Sequence, residues 1–162
     1  MINTWLIALE TVNKVGVYLS DIAGAFDRVD SELLFSRLQN AGLGSKLCNL
    51  IKKYLSGRTG RIVVGGCFSE VFPLCNMVYQ GTVLGPPLWN VFFKEVDEPI
   101  KRAGFIDARF ADDLSAYRAF ASSTTPNGNI MESLIACQDS VHTWGKRMRV
   151  AFDKNKSICG HS

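Results

Sequence analysis

The sequence has no cysteines spaced as Cys-x-x-Cys, and its five cysteines are an odd number. A zinc site built on such pairs and a framework of disulfides are therefore disfavoured, and a reducing, intracellular environment is the simplest expectation. The two histidines, His142 and His161, stand alone without the spacing of metal ligands, which favours solvent exposure or packing. Internal repeats, linkers and low-complexity segments are lacking as well. The 162 residues are therefore expected to form one domain, residues 1–162.

Charged residues are absent from Val71 to Phe93. This stretch contains Pro73, Gly81 and the pair Pro86-Pro87, which would break a helix that faced lipid. We therefore expect buried protein here and no membrane partner. The first ten residues, Met1 to Glu10, lack the basic region and the long apolar run of a signal peptide, so none is expected.

Acidic residues are absent from Ser45 to Arg61, where five basic residues occur. A second basic segment, Lys146 to Lys156, has five basic residues against Asp153 alone. Two basic clusters on either side of a carboxylate-bearing segment suit a polyphosphate or nucleic-acid partner. The net charge is only +3, however, and two solvated surfaces are the simpler explanation from charge alone.

Apolar periodicity and turn residues predict an α+β fold, a mainly antiparallel sheet with helices packed on one face. Leu47, Leu50 and Ile135 are among the side chains expected to face inward from their helices. The predicted elements are a helix at 3–13, a strand at 15–21, helices at 32–41 and from 45 to Gly57, a hairpin around Gly65-Gly66, a helix after Pro87 that Pro99 interrupts or ends, a hairpin around Asp112-Asp113, a loop at 122–129, a helix at 130–148, and short strands at 150–152 and 157–159.

Two aspartates are each predicted to end an apolar strand. Asp21 has the same parity as Val15, Val17 and Leu19, and Asp112 has the same parity as Phe110. A carboxylate in that position is costly to ionise unless a metal, a basic side chain or solvent meets it. Two such strands could place Asp21 and Asp112 together and hold two divalent cations about 3.5–4 Å apart, magnesium first. Alternation directs the neighbouring Asp113 elsewhere, and for this hairpin alone an exposed Asp-Asp turn is the simpler explanation.

Four segments together resemble the catalytic motifs of reverse transcriptases. Residues 21–29 resemble the first motif, residues 80–89 the second, Phe110-Ala111-Asp112-Asp113 the third, and residues 144–157, around Lys156, the fourth. Their order and spacing also match. The resemblance is closest to the enzyme of non-LTR (LINE-type) retrotransposons, runs from about Trp5 to Gly160, and implies a reverse-transcriptase-like polymerase palm.

The resemblance implies metal ligation by Asp21 and Asp112, with the Ile22 carbonyl assisting and Asp113 as the second carboxylate of its motif. The implied cofactors are two Mg²⁺ ions, with Mn²⁺ as a substitute. Lys156 is the candidate acid for the departing pyrophosphate, although a surface lysine explains it equally well.

Three further residues are implied to contact the nucleotide or template. Phe26 falls where the family keeps a bulky side chain under the incoming sugar, which would clash with a 2′-hydroxyl; without the motif it would be an ordinary core aromatic. Gln80 and Gly81 would border the nucleotide and template. Gly81 permits close backbone approach, and its alternative is a plain turn glycine.

The implied activity is RNA-directed DNA synthesis, with an RNA template, a DNA primer and dNTPs as partners, in the nucleus. The family has fingers before its first motif, a thumb after its fourth, and an endonuclease, all of which are expected in a longer parent chain. Little activity is therefore expected from these 162 residues alone.

Two other functions are compatible with the same fold. One is a non-catalytic remnant that binds nucleic acid or a protein, against which the intact Asp21, Phe26, Gln80 and Asp112 argue. The other is a different palm-type enzyme, either a viral RNA-templated RNA polymerase or a nucleotide cyclase. Phe26 argues against ribonucleotides, and the Gln-Gly-x-x-Leu-Gly-Pro run argues against a cyclase.

Overall fold

The computed structural model describes residues 13–121, 125–152 and 158–161. The chain forms two compact units: one contains the residues up to Ala23 and from Lys94 onward, and the other contains Gly24–Phe93. We call them the sheet unit and the helical unit. The helix expected at 3–13 lies outside the described residues, except that Asn13 begins a strand.

Within the described residues the elements follow the predicted order, except that the strand expected at 150–152 is a single bridge at Phe152. The strands are β1 (Asn13–Ser20), β2 (Thr59–Gly60), β3 (Val63–Val64), β4 (Cys67–Phe68), β5 (Phe72–Pro73), β6 (Ile106–Phe110), β7 (Asp113–Ala121) and β8 (Ile158–His161). The α-helices are α1 (Ser31–Asn40), α2 (Ser45–Leu55), α3 (Gly85–Phe93), α4 (Asp97–Arg102) and α5 (Asn127–Met148), with 3₁₀ helices at Phe26–Arg28 and Lys94–Val96. None of the helices in the described ranges is long and apolar enough to cross a bilayer.

The sheet unit contains an antiparallel sheet in the order β6-β7-β1-β8. Burial alternates along β1, where Tyr18 and Ser20 are buried and Leu19 is exposed. Helix α5 packs on the buried side of β1, close to Gly16. A Cβ on this glycine would lie 3.2 Å from Ile130 of the helix. The predicted antiparallel sheet with helices on one face is confirmed.

The helical unit is built by α1, which packs against both α2 and α3. Asp30 caps α1, because its carboxylate accepts the backbone N–H groups of Glu32 and Leu33 at 3.1 Å. The apolar side of α3 is buried through Leu88, Trp89, Phe92 and Phe93. The helix expected to reach Pro99 ends at Phe93 instead, and Pro99 lies in the first turn of α4, where a missing N–H costs little.

Three helix side chains were assigned wrongly to the interior. Leu47, Leu50 and Ile135 are 48%, 63% and 48% exposed. Helix α2 buries Ile51 and Leu55, as expected, together with Cys48, so its packed face is narrower than its apolar composition suggested. The sequence shows which residues are apolar, but neighbouring elements decide which of them are covered.

Residues Thr59–Pro73 form a segment that we call the β-arm. It contains two short antiparallel strand pairs, β2 with β5 and, between them in sequence, β3 with β4. The turn predicted at Gly65-Gly66 is confirmed, and both glycines have positive φ. The strands are only two residues long, shorter than predicted. Several large apolar side chains of the arm are exposed: Ile62, Val63, Val64, Phe68, Val71 and Phe72.

Candidate active site

Asp21 follows the last residue of β1, and the β6–β7 hairpin presents two more carboxylates. Phe110 pairs with Asp113, so Ala111 and Asp112 form a two-residue turn between them. Ala111 has φ +54, the left-handed conformation that such tight turns require. Asp112 therefore lies in the turn itself, and Asp113 is the first residue of β7.

The sheet register brings Asp21 beside Asp113. Ser20 pairs with Leu114 across the antiparallel β1–β7 ladder, so the next two positions are Asp21 and Asp113. Both line one open pocket of about 400 Å³, together with Leu19, Ser20, Leu114 and Ser115. The expectation that alternation directs Asp113 elsewhere was therefore wrong. Strand alternation stops at Phe110, and the turn restarts it at Asp113.

The apolar residues two positions before Asp21 and Asp112 are exposed, although the first row begins with the buried Val15. Leu19 is 39% exposed and Phe110 is 82% exposed. Both precede the carboxylates on an open part of the sheet unit.

The backbone directly after Asp21 is held on both sides. One oxygen of the Asp21 carboxylate accepts the Ile22 N–H at 2.9 Å. Ile22 is buried and forms an antiparallel bridge with Phe152, and the Ala23 N–H donates to the Ala151 carbonyl at 2.9 Å. The segment after α5 thus fixes the chain next to the first predicted metal ligand.

The carboxylate pair suits a hard divalent cation that takes some of its ligands from a substrate. Mg²⁺ prefers oxygen donors and is commonly held by one or two carboxylates, phosphate oxygens and water rather than by a full protein cage. Asp21 and Asp113 supply two carboxylates in one pocket. Within the described ranges no group of three or more His, Cys, Asp or Glu side chains is placed to hold a metal. Substrate phosphates, water and further oxygen atoms of this chain would therefore have to complete the coordination.

An ion pair on β6 was not predicted. The Arg109 Nε lies 2.9 Å from an Asp107 carboxylate oxygen, and its Nη1 donates to the Lys94 carbonyl at 2.8 Å. The spacing of two residues on a strand, which puts both side chains on one face, could have revealed the pair. It ties β6 to the 3₁₀ helix Lys94–Val96.

Phe26 lies in the helical unit and is half-buried. Its ring centroid is 5.6 Å from that of Trp89, and its carbonyl accepts the Val78 N–H at 2.8 Å. The ring therefore has a packing partner on α3. The structure locates the side chain, and its role toward the sugar stays a prediction.

The segment that resembles the second motif forms a tight turn before α3. Gln80 and Gly81 are exposed, and Gly81 has φ +77. Close approach requires glycine at Gly85 instead, where a Cβ would lie 2.9 Å from the Tyr79 carbonyl oxygen. The Thr82 hydroxyl donates to the same oxygen at 2.7 Å. Sequence reasoning selected Gly81 and did not identify the tighter constraint at Gly85.

Tyr79 anchors this turn to α2, which the sequence did not reveal. The Arg58 guanidinium lies over the rings of Tyr54 and Tyr79, at 5.3 Å and 5.4 Å from their centroids. The Tyr79 hydroxyl donates to the Leu55 carbonyl at 3.1 Å. Burial raises the pKa of Tyr79 above its usual value, and the nearby Arg58 charge opposes that rise.

Two further sequence predictions concern Lys156 and His142. Lys156, the candidate acid, lies outside the described residues and stays a prediction. His142 is a packing residue, as favoured above: its ring stacks on Phe152, with centroids 5.3 Å apart and an interplanar angle of 9°.

Comparison with solved structures supports the fold. The chain is similar to apo telomerase from Candida tropicalis truncated from its C-terminal domain, with a TM-score of 0.69. The match covers 99% of this chain and 34% of that chain at 11% sequence identity, so it speaks for the fold alone.

Curated relatives are mobile-element proteins. The RNA-directed DNA polymerases from mobile element jockey of Drosophila funebris and Drosophila melanogaster are 29% and 30% identical over 96% and 91% of this chain. A retrovirus-related Pol polyprotein from the type-1 retrotransposable element R1 of Bradysia coprophila is 28% identical over 86% of the chain. The matched parts are only 17%, 17% and 13% of these relatives' own lengths.

A family model covers almost the whole sequence. Residues 7–161 match the reverse transcriptase (RNA-dependent DNA polymerase) family. The match includes the carboxylate pocket and all four motif-like segments. The family model, the mobile-element relatives and the fold agree, and this chain belongs to the reverse transcriptase family.

Proposed function

We propose that this chain is the catalytic core of an RNA-directed DNA polymerase. It would join a dNTP to the 3′-hydroxyl of a primer paired with an RNA template. The primer 3′-hydroxyl loses its proton to water as its oxygen forms a bond to the α-phosphorus, the bond from that phosphorus to the bridging oxygen breaks, and pyrophosphate leaves. The observation that carries the proposal is that Asp21 and Asp113 line one open pocket in a chain that matches the reverse transcriptase family.

The three carboxylates of Asp21, Asp112 and Asp113 would hold two divalent cations, with the Ile22 carbonyl as a further oxygen donor. Bound Mg²⁺ or Mn²⁺ would supply positive charge for the transferring phosphoryl group and its leaving pyrophosphate. Two carboxylates in one pocket, next to a third in the hairpin turn, support this assignment.

Substrate contacts are assigned to the helical unit and to the fourth motif. Phe26 would contact the deoxyribose, Gln80 and Gly81 would border the nucleotide and template, and Lys156 would donate a proton to pyrophosphate. The exposed positions of Gln80 and Gly81 leave both accessible to a ligand.

Template and primer would be held partly by basic side chains. Lys46, Lys53 and Arg58 are exposed in the segment that lacks acidic residues, and phosphate contacts by such side chains give salt-dependent affinity. We propose that the rest of a longer parent chain supplies additional contacts with the duplex. The isolated chain should then add one or a few nucleotides per binding event.

The test is incorporation of dTTP on poly-rA/oligo-dT with Mg²⁺, scored as single-nucleotide addition. We expect Asp21→Asn, Asp112→Asn and Asp113→Asn each to reduce the rate by about 100-fold or more, since a lost ligand removes several kcal/mol of transition-state stabilisation. The matched control is Asp139→Asn, an exposed carboxylate on α5 that should retain the wild-type rate.

Undiminished incorporation by Asp21→Asn would overturn the proposal. Failure of incorporation by both this chain and its full parent, with salt-dependent RNA binding that Asp21→Asn leaves unchanged, would favour a non-catalytic nucleic-acid-binding remnant instead. Incorporation of rNTPs in preference to dNTPs would contradict the role of Phe26.

A further inference from the structure

The backbone after Asp21 is hydrogen-bonded to a short return segment that follows α5. Arg149 ends the helix with φ +59, and the Val150 N–H donates back to the Gly145 carbonyl at 2.9 Å. The chain then reverses, and Phe152 bridges Ile22 in antiparallel orientation. The return segment, Val150–Phe152, is thus attached to α5 at one end and to the residue after Asp21 at the other.

The return segment fixes one particular peptide plane. The Ala23 N–H donates to the Ala151 carbonyl at 2.9 Å. The C=O and N–H of a trans peptide point in opposite directions, so this bond directs the Ile22 carbonyl away from Ala151. The Ile22 N–H meanwhile donates to the Asp21 carboxylate. Two of the oxygen groups assigned to cation binding, the Ile22 carbonyl and the Asp21 carboxylate, are therefore oriented by the backbone that the return segment holds.

The ring of Phe152 locks the return segment onto α5. It stacks on His142, and it lies so close to Gly145 that a Cβ there would be 2.6 Å from its Cε2. His142 also contacts β1, since its Nε2 lies 3.4 Å from the Tyr18 hydroxyl. Helix α5 therefore holds the chain on both sides of Asp21, upstream through Tyr18 and downstream through Phe152.

We propose that Phe152, seated on Gly145 and His142, is a positioning residue that sets the direction of the Ile22 carbonyl and the Asp21 carboxylate toward a divalent cation. This inference rests on the proposed function and adds to it residues that touch neither substrate nor cation. Groups that orient metal ligands commonly change metal affinity by about 10–100-fold when they are altered.

The test introduces a methyl group under the ring. Gly145→Ala places a Cβ where Phe152 must move and 3.0 Å from the Val150 carbonyl oxygen, so it displaces the return segment through both its ring and its backbone. Gly128→Ala, at the start of the same helix, meets nothing within 4 Å and is the matched control. The readouts are the hydrogen-exchange rate of the Ala23 amide by NMR and the dissociation constant for Mn²⁺ alone by EPR. We expect Gly145→Ala to raise both by about 10-fold, with Gly128→Ala at wild-type values.

A smaller side chain at position 152 should partly restore Mn²⁺ binding in Gly145→Ala. Gly145→Ala combined with Phe152→Leu should recover part of the Mn²⁺ affinity, because leucine yields the space that the new methyl occupies. Phe152→Leu alone introduces no clash and should weaken Mn²⁺ binding in the same direction by about 3-fold or more. It keeps the test decisive if Gly145→Ala fails to fold.

Three results would overturn the inference. They are equal Mn²⁺ affinity in Gly145→Ala and Gly128→Ala, unchanged affinity in Phe152→Leu, and faster exchange throughout β1 rather than at Ala23. The last would mean that the ring supports the whole sheet unit and not the site. Weakened Mn²⁺ binding in Gly145→Ala, with no primer extension by either the wild-type chain or its full parent, would instead contradict the polymerase proposal and leave the positioning role standing.

Discussion

Asp113 lies beside Asp21 on the neighbouring strand, because the register that pairs Ser20 with Leu114 continues to these two carboxylates. Both line the same open pocket. Like charges that face each other on neighbouring strands repel and destabilise the sheet. The arrangement that favours cation binding should therefore reduce the stability of the cation-free protein.

Asp113→Asn should stabilise the protein in the absence of divalent cations. We expect a gain of about 0.5 kcal/mol in the free energy of unfolding, measured by urea denaturation in EDTA, because one of two repelling charges is removed. The gain should shrink at high salt. Asp139→Asn is the control and should change little. A loss of stability, or a gain that salt leaves unchanged, would contradict the repulsion.

Asp30→Ala should lower stability through the start of α1. The Asp30 carboxylate accepts two backbone N–H groups that would otherwise lack a helical acceptor. We expect a loss of about 1 kcal/mol in urea denaturation, with Asp30→Asn close to wild type because its amide oxygen can still accept. Asp27→Ala, at a nearby exposed position, provides the comparison. Equal losses from Asp30→Ala and Asp27→Ala would rule out a capping contribution.

Tyr79 should make stability fall at high pH. Burial raises its pKa in the folded state above the unfolded value, so the folded state retains the phenol proton more strongly. Its contribution is fully present below about pH 10 and is lost as pH rises through the folded pKa. Urea denaturation at about pH 8 and about pH 11 should show a smaller decrease for Tyr79→Phe than for wild type. Identical decreases would show that Tyr79 does not contribute.

The β-arm should tolerate polar substitution. Val64 and Phe68 are 73% and 68% exposed, so Val64→Ser and Phe68→Ser should change the free energy of unfolding by no more than about 0.5 kcal/mol. Exposed apolar patches promote association, so both variants should scatter less light at high protein concentration. Asn90→Ser, exposed on α3, is the control. A large loss of stability would mean that the arm packs internally.

Local signals in the sequence predicted the elements well. The helix expected at 32–41 and the turn expected at Gly65-Gly66 each depend on a few adjacent residues, and the structure contains both. The helix expected from residue 130 begins at Asn127, because the loop assignment extended too far. These features require no knowledge of distant parts of the chain.

The expected direction of Asp113 was wrong for a geometric reason. Parity was counted forward from Phe110 across a two-residue turn, although turn residues do not continue the alternation of a strand. Counting back along β7 from Leu114, which is buried, would have placed Asp113 on the open side beside Ser115. Parity is informative only within one strand.

The contacts around Phe152 could not have been predicted. The need for glycine at Gly145 arises only because Arg149 reverses the chain and returns an aromatic ring onto the helix. The stack of Arg58 on Tyr54 and Tyr79 likewise depends on where the arm begins and ends. Such contacts join residues that sequence patterns treat independently.

Strand β1 lies between β7 and β8, and both of its partners come from much later in the chain. On the ribosome the strand that precedes Asp21 is made first, yet it must wait until Ala121 has emerged before the β7 ladder can close. Pairing over such sequence distances is intrinsically slow. During synthesis β1 therefore leaves unpaired edges open to other nascent chains, and a chaperone that shields it would raise the yield of native protein.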